Sequence, residues 1–204
     1  MRVSTELVDA RNDNTIWGDS YDRDLTDIFA IQSEIAQTIA SKLTATLSPE
    51  EKQRIEAKPT DNLEAYDLYL RGKELVQNTQ VAAIAGNLSE SLGNAVAFLE
   101  QAVRLDPNFT LAYCVLTEAH DILYWLVDPT PDRRAMAAAA IKSALRTRPD
   151  LPEVRLAYAH YLYFVFRDYE QARVQLAIAR AGLPNNAEAI LLACSNGSSS
   201  GELQ

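Results

Sequence analysis

His120 and His160 are the two histidines of a 204-residue chain, and Cys114 and Cys194 its two cysteines. Imidazole and thiol are the side chains best suited to general base, nucleophile or metal-ligand work, so they set the first question. Neither histidine has a Cys, Asp or second His at metal-ligand spacing on its own helical face. The cysteines lie far apart among apolar residues, where a thiol usually packs as a small hydrophobe. Ser, His and Asp all occur, but no nucleophile elbow and no Gly-rich phosphate loop joins them. The acidic run "DSYDRDLTD" has the oxygens for calcium but lacks the glycine and closing glutamate of a calcium loop. Asp ahead of a helix is explained by capping and by the helix dipole. The expectation is therefore no catalytic residue, no metal and no cofactor, with both histidines in core or boundary positions.

Charge narrows the partner classes. The net charge is −9 with a pI near 4.7. Up to Lys58 there are 7 basic and 11 acidic residues, and beyond it 12 and 17. Both halves are acidic, which argues against a phosphate-backbone partner needing clustered Lys and Arg. The nearest cluster, Arg133, Arg134, Arg146 and Arg148, reads as solvated helix ends. No apolar run reaches 18 residues, so no membrane-spanning helix is expected. The opening "MRVSTELVDA" carries Arg and Glu where a signal peptide needs an apolar centre. The expected compartment is reducing and cytoplasmic.

A repeat organises the rest. Ala95, Leu99, Ala102 and Pro107 recur as Ala137, Ile141, Ala144 and Pro149, then as Ala172, Leu176, Ala179 and Pro184, with identical internal spacing. Residues three and four apart share a helical face, so each set is a small–large–small stripe that lets another helix approach closely. Each proline marks where a helix cannot continue. A preceding helix carries its own matching stripe: Leu68, Arg71, Gly72 and Leu75; then Tyr113, Leu116, Thr117 and His120; then Leu156, Ala159, His160 and Tyr163. Extra residues separate the two helices of the first pair, "TQVAAIAGNLSES", and of the second, "WLVDPTPDRR". A fourth unit starts at "NNAEAILLAC" and gives way to "SNGSSSGELQ", whose Gly and Ser suit a flexible tail.

The front of the chain has another period. Val3, Thr5 and Leu7 alternate with Arg2, Ser4 and Glu6, and Thr15, Trp17, Asp19 and Tyr21 alternate after the turn residues "RNDN", which predicts a β-hairpin. A lone hairpin is marginal in water. Ile28, Ile31, Ile35, Ile39 and Leu43 form one stripe of an amphipathic helix. Ser48, Pro49 and Glu51 make a capping signal for another, and Asp61 with Glu64 a second capping box.

The paired helices with small–large–small–Pro stripes resemble the tetratricopeptide repeat over roughly residues 62–193. The resemblance implies a mainly α fold, an α-solenoid of helix-turn-helix repeats behind a short β-hairpin. It also implies that the first helix of each unit lines a concave face holding a protein or peptide segment. Carried over residue by residue, that face comprises Tyr66, Tyr69, Lys73 and Gln77; Leu111, Cys114, Glu118 and Asp121; and Val154, Ala157, Tyr161 and Phe164. Arg71 and His160 depart from the family's preferred residues. Some repeats of this family clamp a terminal carboxylate with several basic groups. Here Lys73 is the single basic group, and Glu118 and Asp121 would repel a carboxylate. Aromatic and apolar contacts with few charges suit a hydrophobic or mildly basic segment.

The stretch from "ELVDARNDNTIWGDSYDRDLTDIFAIQSEIA" to "LSPEEKQRIEAKPTDNLEAYDLYLRG" resembles a bacterial junction at which a TolB-like or FlgO-like α/β domain runs into such repeats. This resemblance implies a hairpin remnant at 1–23, amphipathic linker helices at 24–60, repeats at 61–194 and a flexible tail at 195–204. The function expected is a non-catalytic interaction scaffold of a larger signalling protein. The alternative is a fragment of a nucleotide cyclase, protein kinase or winged-helix regulator whose catalytic or DNA-binding part lies elsewhere. Self-association through the hairpin edge or the uncovered last helix is a further expectation.

Overall fold

The computed structural model describes residues 2–22, 28–43, 52 and 55–199. Contacts divide the chain into two units, Met1–Asp61 and Asn62–Gln204. In the first, β1 (Arg2–Asp9) pairs antiparallel with β2 (Asn14–Asp22), setting Val3 opposite Tyr21, Thr5 opposite Asp19 and Leu7 opposite Trp17. The alternation expected from the sequence thus becomes one face, and an irregularity between Leu7 and Val8 breaks it near the turn. Asp13 turns the chain at φ 55, while the Asp9 carboxylate accepts hydrogen bonds from the Arg11 backbone and side chain.

Helix α1 (Ile28–Lys42) contacts β2, and Phe29, Ile31 and Tyr21 are buried. Ile35 and Ile39 are only half-buried, and Leu43, expected on the same stripe, is exposed just past the helix end. The Ser33 hydroxyl donates to the Ile55 carbonyl at 2.7 Å. The capping signal at Ser48, Pro49 and Glu51 lies outside the described residues.

The second unit is entirely helical: α2 (Leu63–Gln77), α3 (Thr79–Ala85), α4 (Leu88–Leu105), α5 (Thr110–Leu126), α6 (Pro131–Thr147), α7 (Pro152–Tyr161), α8 (Tyr169–Gly182) and α9 (Ala187–Ser199). Including α1, nine α-helices occur among the described residues. They pack in adjacent pairs, α2 on α4, α5 on α6 and α7 on α8, with α9 against α8. The expected extra residues of the first pair fold as the short α3, closed by left-handed Gly86 at φ 76.

Each second helix stops two residues before its proline, at Leu105, Thr147 and Gly182. The small–large–small stripes are the packed faces: Ala95, Leu99, Ala102, Ala137, Ala144, Ala172 and Ala179 have no exposed surface, and Ile141 and Leu176 have 3%. Burying one such Leu stabilises by about 1.5–3 kcal/mol. The core forms three clusters in series, around Leu99 and Phe109, then Ile141 and Val154, then Leu176 and Leu192. That is the pattern of stacked pairs rather than of one closed bundle.

Three local features differ from expectation. The first repeat helix is capped by Asn62, whose side chain accepts from Ala65 N–H at 3.0 Å, and not by Asp61. The helix begins at Leu63, so Asn62, with extended backbone at φ −97 and ψ 105, is the flanking residue whose side chain can reach the first-turn N–H groups. The first helix of the third pair gives way after Tyr161 to a π-helical turn, Leu162–Phe166, closed by left-handed Arg167 at φ 57. Asp168 then caps α8 by accepting from Gln171 N–H. Finally, α9 runs on to Ser199 where a flexible tail from residue 195 was expected. Extending an existing helix by one turn costs far less than starting one, even through Gly and Ser.

Candidate functional site

The first helices α2, α5 and α7, together with α9, enclose a cleft of about 170 Å³. Of the twelve residues expected on the concave face, Tyr69, Lys73, Gln77, Leu111, Cys114, Glu118 and Ala157 line it. They reach it because one stripe of each helix is used for its partner helix and a second stripe is left over. Tyr66 lies beside the cleft, its ring 6.0 Å from that of Tyr69, which in turn packs on Phe109 at 5.0 Å.

The other four are placed elsewhere. Val154 has no exposed surface and belongs to the second core cluster. Asp121 is also wholly buried. Tyr161 is 7% exposed with its ring edge-on to Phe166 at 5.2 Å. Phe164 contacts Trp125, His160 and Tyr163. Tyr161 still lies in α7 and packs into the second core cluster, whereas the π-turn that follows takes Phe164 off the line that Val154 and Ala157 would extend. Phe164 instead lines a separate cavity of about 280 Å³ with Trp125 and Phe166.

The cleft also contains residues that repeat counting overlooked, notably Glu153, Asn186 and Glu188. Glu153 opens α7 one position before the stripe that was followed. Glu188 stands 35 residues after Glu153, the same offset as Pro184 from Pro149, so extending the register into the incomplete fourth unit locates it. Asn186 caps α9 by accepting from Ala189 N–H at 2.9 Å.

Charge distribution gives the cleft its character. Glu118, Glu153 and Glu188 come from three different helices, and Lys73 is the basic side chain on its wall. The Lys73 ammonium lies 5.7 Å from the centre of the Tyr69 ring. Burial, and then the Glu188 charge, push the Glu118 carboxyl up to about 7, against the opposing pull of His160 and Lys73. Glu118 therefore keeps its proton to a much higher pH than a solvated carboxyl does. One Glu153 oxygen is buried without a hydrogen-bond partner.

The histidines divide between structural roles. His160 Nε2 lies 3.0 Å from Glu188 Oε1 and ties α7 to α9. Burial works against its protonation, but the Glu188 contact and charge outweigh that and raise its pKa, while the same contact lowers that of Glu188. His120 is 2% exposed, with Nδ1 3.1 Å from Arg133 Nη1. Burial, then the Arg133 charge, push its pKa down to about 4, so it is neutral. Burial pushes the Cys114 thiol far up, so it stays protonated as an apolar part of the wall. The arrangement offers aromatic and aliphatic surface beside clustered carboxylates. Among the described residues no His, Cys, Asp or Glu group is arranged to hold a metal ion, and no helix is long and apolar enough to cross a membrane.

No protein-family model matches the chain, and no solved structure matches it. It is 28% identical over 155 residues to "Putative adenylate cyclase 3" of Rhizobium meliloti (strain 1021), a match covering 75% of this chain and 25% of that protein. The chain is thus a distant, partial homologue that spans about a quarter of its relative's length.

Proposed function

We propose that this chain is a tetratricopeptide-type module, a non-catalytic part of a larger bacterial signalling protein, and that it holds a protein segment in the cleft of its first helices. The observation that carries this reading is the cleft itself, to which α2, α5, α7 and α9 each contribute side chains left free by pairing. Paired helices with small–large–small faces, each ended by a proline, support the repeat assignment. The partial likeness to a protein named as an adenylate cyclase supports a place beside, rather than within, a catalytic domain. Such a cyclase would supply the reaction, and this module would bring it to a partner or relay the partner's presence.

A library of random heptapeptides presented to the 204-residue chain tests the reading. Binding should be lost in Leu111→Arg and Gln77→Arg, which obstruct the cleft, and kept in Lys142→Ala on the exposed side of α6. Equal loss in all three variants, or retention in all three, rejects the cleft as the binding face.

A further inference from the structure

We infer that the cleft anchors a basic side chain, lysine or arginine, of the bound segment, with its cationic head against Glu118 and Glu153 and its aliphatic stem along Leu111 and Ala157. The inference rests on the cleft being the binding face and adds the chemistry of what enters it.

Three carboxylates from separate helices converge on one small apolar cleft. Bringing like charges together there is unfavourable unless each is neutralised. Glu188 has its counter-charge in His160 at 3.0 Å. Neither Glu118 nor Glu153 forms an ion pair among the described residues, and Glu153 Oε2 is buried with no hydrogen-bond partner at all. A buried carboxylate oxygen without a donor is unfavourable, and a donor entering from the cleft removes that cost.

The internal cations do not fill the place. Lys73 lies over the Tyr69 ring on α2, and His160 is held by Glu188. Between them stands a site that combines two carboxyl groups lacking an ion-pair contact with an apolar wall, which matches the head and stem of a long basic side chain. A segment ending in a carboxylate would instead have to rely on Lys73 alone and face both glutamates.

The probe is the heptapeptide library on the full chain, followed by one selected peptide and its copy with the basic residue replaced by norleucine. Selected peptides should share Lys or Arg at one position, and the norleucine copy should bind roughly tenfold or more weakly. Glu118→Gln and Glu153→Gln should each weaken the basic peptide but not the norleucine copy, whereas Lys142→Ala, on an exposed position of α6, should leave both unchanged. The norleucine change leaves the protein untouched, so a folding defect in a variant cannot imitate the result. Cleft-dependent binding with no basic preference, or equal weakening of the basic peptide and its norleucine copy by Glu118→Gln and Glu153→Gln, overturns the inference while the cleft reading stands. Absence of any peptide binding overturns both.

Discussion

Gly72 of α2 and Leu99 of α4 meet where the first helical pair crosses, so closely that a β-carbon on Gly72 would lie 2.6 Å from Leu99 Cγ and 3.2 Å from the Ala95 carbonyl oxygen. Leu99 has no exposed surface into which it could move. In an open helix, Gly→Ala gains about 0.5–1 kcal/mol from backbone entropy. Here overpacking opposes that gain, at about 1–3 kcal/mol. We expect Gly72→Ala to destabilise the helical unit in urea titrations. Leu99→Ala alone should cost about 2–5 kcal/mol. The double variant should cost less than the two summed, because the smaller residue at 99 makes room for the new methyl. Additive costs would show that the two residues do not define the crossing.

The start of the repeats depends on one side chain. Asn62 accepts from Ala65 N–H, and Asp61 lies outside the helix. Asn62→Ala should cost about 1 kcal/mol. Asp61→Ala should change stability by less than about 0.5 kcal/mol, as an exposed substitution outside the helix that removes no capping hydrogen bond. Chemical denaturation of the two single variants separates them, and a larger loss in the Asp61 variant would return the cap to that residue.

What was legible in the sequence follows from how strongly the physics constrains each feature. The small–large–small stripes had to be small because helices press together there, and Ala95, Ala137 and Ala172 are all fully buried. Prolines Pro107, Pro149 and Pro184 had to lie past helix ends because they lack the N–H. The cleft was only partly legible. Lys73 and Glu118 follow the 3.6-residue period and reach it, but the π-turn at Leu162–Phe166 leaves no clear mark on the sequence and displaces Phe164. Position equivalence also conceals different solutions. Gly72, Thr117 and His160 share one place in the repeat. Gly72 admits Leu99, Thr117 turns its hydroxyl back to donate to the Tyr113 carbonyl at 2.8 Å, and His160 reaches Glu188. The pairing of carboxylates with cations is a property of three-dimensional proximity, which no single helical period encodes.

Thiol chemistry reports on the cleft wall. Cys114 is buried and its thiol is pushed far up by burial, whereas Cys194 is exposed. A chromogenic disulfide reagent should therefore titrate one thiol quickly in the native chain and the second only on unfolding. Cys194→Ser should remove the fast phase. Rapid modification of Cys114 in the folded protein would mean that the cleft opens far more readily than its packing implies.

Stability should respond to pH through Glu118 and His120 in opposite directions. Burial first, and then the Glu188 charge, raise Glu118 to about 7 from its ordinary 4.5. Between those values the folded state holds the proton more tightly than the unfolded chain, so this group makes stability fall as pH rises. The groups around it are Lys73 on α2, Glu153 and His160 on α7, Glu188 on α9, and Asp121 and Cys114 on its own helix. Asp121, raised well above its ordinary value by burial and then by Glu118, acts in the same sense as pH climbs. Glu118→Gln should therefore raise the melting temperature by a few degrees at pH 8 and change it little at pH 4.5. His120 is lowered to about 4 from 6.5, by burial and then by Arg133. From pH 6.5 down to 4 the unfolded chain binds the proton and the folded one does not, so acidification costs stability there. His120→Gln should flatten that acid limb while leaving the decline between pH 5 and 8 in place. Melting curves at half-unit pH steps separate the two, and a Glu118→Gln profile parallel to that of the parent across pH 4.5–8 would show that the cleft carboxylate is hydrated rather than buried.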